Sequence, residues 1–181
     1  MKKFFVLVFM SILFFTGCGE KMNNTPTKQV EMFFMNYQTL DSKVIKDLND
    51  TVAKDDSMDD KQKDRYKEIM KEHYKNLAYD IKDEEINGDS AVVKVEIEVT
   101  DYSKTILQVN NYLKTNPEEF LDDDKKYDSK KFIDYKLDEL EKVKDKVKYT
   151  LELNLTKIDD KWELDKLSSD DEDKILGIFE Y

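Results

Sequence analysis

The sequence predicts an α+β fold in which N-terminal helices pack on one face of a curved antiparallel sheet, with a helical insertion between two hairpins. Three observations carry this. Apolar residues recur at helical spacing from Val30 to Leu77, and from Ala78 onward the period drops to two. Two alternating runs, Val93 to Val99 and Tyr149 to Leu155, are separated by a stretch of helical character. The chain has 181 residues, 39% of them hydrophobic, enough for one domain with a core. Its 41 acidic and 30 basic side chains give a net charge of −11. Such a surface repels phosphate backbones, so nucleic acid is excluded as a partner class.

Met1-Lys2-Lys3 is a short cationic start, and Phe4 to Phe15 is an apolar run. A helix over that run spans about 18 Å, well short of the roughly 30 Å hydrocarbon core of a bilayer. It reads as a secretory signal, removed after residue 17. Cys18 is the only cysteine, so no intrachain disulfide forms. Phe15-Thr16-Gly17-Cys18 resembles the lipobox of bacterial lipoprotein precursors, with Phe15 in place of the usual leucine. The resemblance implies that the Cys18 thiol takes a diacylglycerol, with palmitate-type chains, and becomes the mature N-terminus. Two acyl chains anchor a protein stably where one does not. Residues 18–26 then read as acylated cysteine and polar tether, and 27–181 as a single domain.

Pro26 suits the first helical turn with Thr25 as cap, and Val30, Phe33, Phe34, Tyr37 and Leu40 share one side. Asp41-Ser42 opens a second helix presenting Val44, Ile45, Leu48 and Val52. A third, from about Ser57 to Leu77, carries Tyr66, Ile69, Met70, His73, Tyr74 and Leu77 in its apolar stripe. Ala78 to Ile86 and Ala91 to Thr100 read as strands, and Asn87-Gly88 as the centre of a tight hairpin with two positive φ angles. Residues 103–147 read as the helical insertion, interrupted at Asn116-Pro117 and at Asp122 to Asp128. The runs around Tyr149 to Leu155 and Trp162 to Leu164, joined by Asp159-Asp160, form the second hairpin. Ser168 to Asp173 reads as an acidic loop or cap, before an apolar tail from Ile175 to Phe179.

This layout is similar to the cone-shaped nuclear-transport-factor-like (cystatin-like) superfamily, and more narrowly to small uncharacterised lipoproteins of Gram-positive bacteria with that fold. The residues behind it are Thr25-Pro26-Thr27 with the aromatic helix to Leu40-Asp41, the strand Ala91 to Thr100, and Ile158 to Leu164. The insertion is the main departure, placed where it would cap the wide end of the cone. Enzymes of that superfamily set an acid or base and a tyrosine inside the cone, but no residue here matches a catalytic position individually.

Four glycines, at 17, 19, 88 and 177, cannot build a glycine-rich phosphate loop. One histidine and one acylated cysteine cannot build a zinc site, and the acidic clusters lack the spacing of a calcium loop. No metal, cofactor or catalytic residue is assigned. Tyr37, Tyr66, His73, Tyr74 and Trp162 are the candidate pocket residues, because tyrosine and tryptophan join an apolar body to a polar handle. Core packing is the alternative for the aromatics, and a buried structural imidazole the alternative for His73. The expected function is a cell-surface, lipid-anchored domain that binds a small ligand or protein without catalysis, its membrane contact made through the anchor. The alternatives are proton-transfer chemistry of isomerase or hydratase type in a cone cavity, and a structural part in envelope assembly.

Overall fold

The computed structural model describes residues 24–180. The apolar run and Cys18 lie outside the described residues. Three helices come first, α1 (Pro26–Gln38), α2 (Ser42–Ala53) and α3 (Asp60–Lys75), followed by the strands β1 (Ala78–Asn87) and β2 (Ser90–Thr100). The insertion holds α4 (Ser103–Thr115), a short 3₁₀ turn (Pro117–Phe120) and α5 (Ser129–Lys142). Then come β3 (Lys146–Ile158), β4 (Lys161–Leu164) and α6 (Ser169–Leu176). The strands form one antiparallel sheet in the order β1-β2-β3-β4, so an α+β architecture with helices on a curved sheet is present.

Helices α1, α2, α3, α5 and α6 each start where a side chain satisfies an orphan backbone donor. The Lys28 N–H donates to Thr25 Oγ1 at 3.1 Å, ahead of α1, and the Lys43 N–H to Asp41 Oδ1 at 2.8 Å, ahead of α2. Asp59 and Gln62 cap α3 reciprocally, each side chain accepting from the other's backbone N–H. Ser168 caps α6, whose first turn carries Asp170, Asp171 and Glu172 against the positive end of the helix dipole. The stretch from Ser168 to Asp173, expected as a loop or cap, is thus a capped helix start. Three carboxylates suit a first turn better than they suit a strand or core.

Two further expectations are corrected. The β1–β2 turn is centred on Gly88-Asp89, because Asn87 pairs with Ser90, and only Gly88 takes a positive φ there (62°). The turn with two positive φ values is instead Asp159-Asp160, at 49° and 62°, between β3 and β4. Aspartate tolerates the left-handed region through local hydrogen bonding. The second correction is the end of the insertion. Val147 lies in β3 opposite Val99, so the helical part closes at Lys142. A valine beside the alternating run fits a strand as readily as a helix face.

The core lies between the sheet and α1. Val93, Val95, Ile97 and Val99 of β2 and Leu151, Leu153 and Leu155 of β3 are buried on one face, against Val30 and Phe34 of α1 and Ile175 of α6. Each of these large side chains contributes about 2 kcal/mol by leaving water. The opposite face is wet and charged. Lys148 there meets Glu96 at 3.1 Å and Glu98 at 3.9 Å, and Lys82 meets Glu96 at 3.6 Å. At the start of the described chain the Asn24 amide pairs with both backbone groups of Trp162, at 2.5 and 3.3 Å. Asn24, within the stretch expected as tether, thus pairs with β4.

Candidate ligand cleft

Helix α3 divides two environments, and its sequence shows how. Met70 and Tyr74 face α1 and α2, Ile69 and His73 sit one position back and face α5 and the chain's end, and Tyr66 at the start of the stripe touches both sides. One residue of offset is about 100° on a helix. The two sets merge into one stripe in the sequence and part company in the structure.

The first environment is a cleft of about 310 Å³ between α1, α2, α3 and α6. Its walls include Phe33, Tyr37, Tyr66 and Tyr74, and its floor Leu48, Met70 and Ile175. Phe33 and Tyr37 meet edge to face at 5.2 Å, and Tyr37 and Tyr74 at 4.9 Å with an 84° angle between planes. Asp41, Lys43, Asp47, Thr51 and Glu172 surround the mouth. The chain reaches this geometry through Leu40, which takes φ 54° and turns α1 into α2, and through Gln38, whose Nε2 donates to the Leu77 carbonyl at 2.8 Å.

All three tyrosine hydroxyls are held above the ordinary phenol range. Burial is the first cause in each; Asp47 and Glu172 add to it at Tyr37, Asp55 at Tyr66, and the other two tyrosines at Tyr74. They stay protonated at neutral pH and act as donors or weak acceptors rather than bases. None of the three makes a hydrogen bond to another described residue.

His73 and Trp162 do not join this cleft. His73 is 1% exposed, and its Nε2 lies 2.8 Å from the Ile175 carbonyl, which makes Nε2 the protonated nitrogen. Burial, with the Lys146 charge, depresses the imidazole to about 4 despite that bond. Nδ1 is buried with no hydrogen-bond partner among the described residues. His73 lies at the floor of a separate groove of about 960 Å³ between α3, α5 and the ends of β2 and β3. Arg65 crosses that region to Asp138 at 2.6 Å and Glu141 at 2.9 Å. Trp162 packs in the sheet core from β4.

Sequence reasoning missed Phe33, Met70 and Glu172 as cleft residues. For Phe33 the signal was present, since it lies four positions before Tyr37 on α1. Glu172 comes from a distant helix, and nothing in its own neighbourhood marks it. The buried face of the sheet, where a cone cavity would open, is filled by side chains of α1, α6 and the C-terminal tail. No helix among the described residues is long and apolar enough to cross a membrane, and no group of His, Cys, Asp and Glu among them is placed to hold a metal ion.

No protein-family profile matches the chain, and no curated protein is similar to it. Among solved structures, the chain is similar to the crystal structure of YcdA, a candidate lipoprotein of Bacillus subtilis, with a TM-score of 0.42 and 20% identity. That similarity covers 68% of this chain and 39% of YcdA, so this chain spans about two fifths of its length.

Proposed function

We propose that the chain is a lipid-anchored extracytoplasmic binding protein whose small-molecule seat is the tyrosine-lined cleft. The observation that carries this reading is the set of three protonated hydroxyls, on Tyr37, Tyr66 and Tyr74, that line one cleft with no hydrogen-bond partner among the described residues. These hydroxyls are open to solvent in the cleft and are not among the buried unsatisfied atoms of the described residues, so they are free to exchange water for a ligand. A ligand that brings an acceptor takes the place of water at the hydroxyls, and its apolar body gains burial against the rings. The N-terminal segment supports the placement: a cationic start, an apolar run too short to span, and a lone cysteine after Gly17. The resemblance to nuclear-transport-factor-like lipoproteins agrees with the order of helices and hairpins.

The test is a fragment screen on the full chain in non-ionic detergent, with tyrosine rings isotopically labelled for NMR. The expected result is that fragments with an apolar body shift the rings of Tyr37, Tyr66 and Tyr74 together, and that Tyr74→Trp, which fills the cleft, removes the response. Fragments that bind only elsewhere, or none that move these rings, would contradict it.

A further inference from the structure

We propose that the cleft takes an organic cation, a quaternary ammonium group carried on a small molecule; this rests on the cleft being a ligand seat. The walls supply four aromatic rings, Phe33, Tyr37, Tyr66 and Tyr74, whose faces carry partial negative charge. Tyr37 and Tyr74 meet edge to face, centroids 4.9 Å apart and planes at 84°, so the two rings present different sides to the cleft they line. A quaternary ammonium has no N–H to satisfy, so it leaves water for ring faces more cheaply than a primary amine does.

The mouth sets the sign. Asp41, Asp47 and Glu172 face it with Lys43 as the one cation among the lining residues. Lys43 is committed to Asp47, with Nζ 3.1 Å from Oδ2, and the Asp41 carboxylate accepts the Lys43 backbone N–H at the start of α2. Glu172 has no ion-pair partner among the described residues and projects from the first turn of α6 onto the cleft. Its charge and that of Asp47 reach inside, since both raise the Tyr37 hydroxyl. An anionic ligand would meet these carboxylates with no free cation to receive it. A neutral one gains burial and hydrogen bonds from the hydroxyls but none of the attraction of these carboxylates.

The experiment compares choline with 3,3-dimethyl-1-butanol, which has the same shape without the charge, by calorimetry and by tyrosine-ring NMR on the full chain in non-ionic detergent. Choline is expected to shift the rings of Tyr37, Tyr66 and Tyr74 and to bind at least tenfold more tightly than its neutral counterpart. Glu172→Gln is expected to weaken choline at least threefold and to leave the neutral compound unchanged. Equal binding of the two compounds at these rings would overturn the cation inference and leave the ligand seat standing. Failure of both to move the rings would also overturn it, and the fragment screen then decides the seat by itself.

Discussion

His73 on α3 joins the backbone of α6, its Nε2 lying 2.8 Å from the Ile175 carbonyl, in a site where the ring is 1% exposed. The first prediction follows from this contact. The unfolded imidazole titrates at its ordinary 6.5 and the folded one at about 4. Between those values the unfolded chain binds a proton that the folded chain does not, so stability rises with pH across the window. The contribution is complete above 6.5 and is lost as pH falls toward 4, about 3 kcal/mol in all. Urea unfolding of the wild type should show this slope, and His73→Gln should flatten it. A wild type as stable at about pH 4.5 as at pH 7 would contradict the buried neutral ring.

The same corner makes a second prediction about glycine. Gly177 ends α6 at φ 69°, and a Cβ there would sit 1.9 Å from the Thr100 carbonyl oxygen and 3.2 Å from His73 Cε1. Gly88 has nearly the same φ, 62°, with nothing within 4 Å. Gly88→Ala should therefore cost about 1 kcal/mol for the backbone alone. Gly177→Ala must also displace β2 or α6, and its cost should be about 3 kcal/mol or more. Equal losses in denaturant unfolding would show that the α6 tail does not pack as described.

Gln62 supplies the third. It is 1% exposed and serves three partners: Oε1 accepts the Asp59 N–H at 3.1 Å, and Nε2 donates to the Lys130 carbonyl and to Asp134 Oδ1, each at 3.0 Å. Gln62→Leu keeps the volume and strands those groups, for an expected loss of about 2 kcal/mol. Gln62→Glu should cost a similar amount, because the carboxylate loses both donations and faces Asp134. A neutral outcome in either variant would mean that α3 and α5 are not joined through this side chain.

How far the chain could be read without coordinates depended on what each signal reports. Periodicity reports burial of one face, and it located α1, α2, β2 and β3. It failed to separate Tyr74 from His73, because α3 is buried on two adjacent sides and adjacent residues there face different neighbours. Turn chemistry was legible as turns, not as types. Asn87-Gly88 and Asp159-Asp160 both marked hairpins, but pairing of Asn87 with Ser90 moved the first centre by one residue and left the double positive φ to the aspartates. Glu172 reaches the cleft through the docking of α6, a tertiary event that local sequence does not encode.

Both halves of the proposed function meet at Thr51, an exposed residue at the cleft mouth. Cys18 is the only cysteine of the chain, and the proposed acylation would remove its thiol, so under that proposal Thr51→Cys introduces the one reactive thiol. The measurement is labelling of that thiol by a membrane-impermeant maleimide in intact cells, with and without choline. The expected result is prompt labelling before lysis, slowed by choline. Labelling that appears only after the cells are broken open would contradict a cleft held in the water outside the membrane.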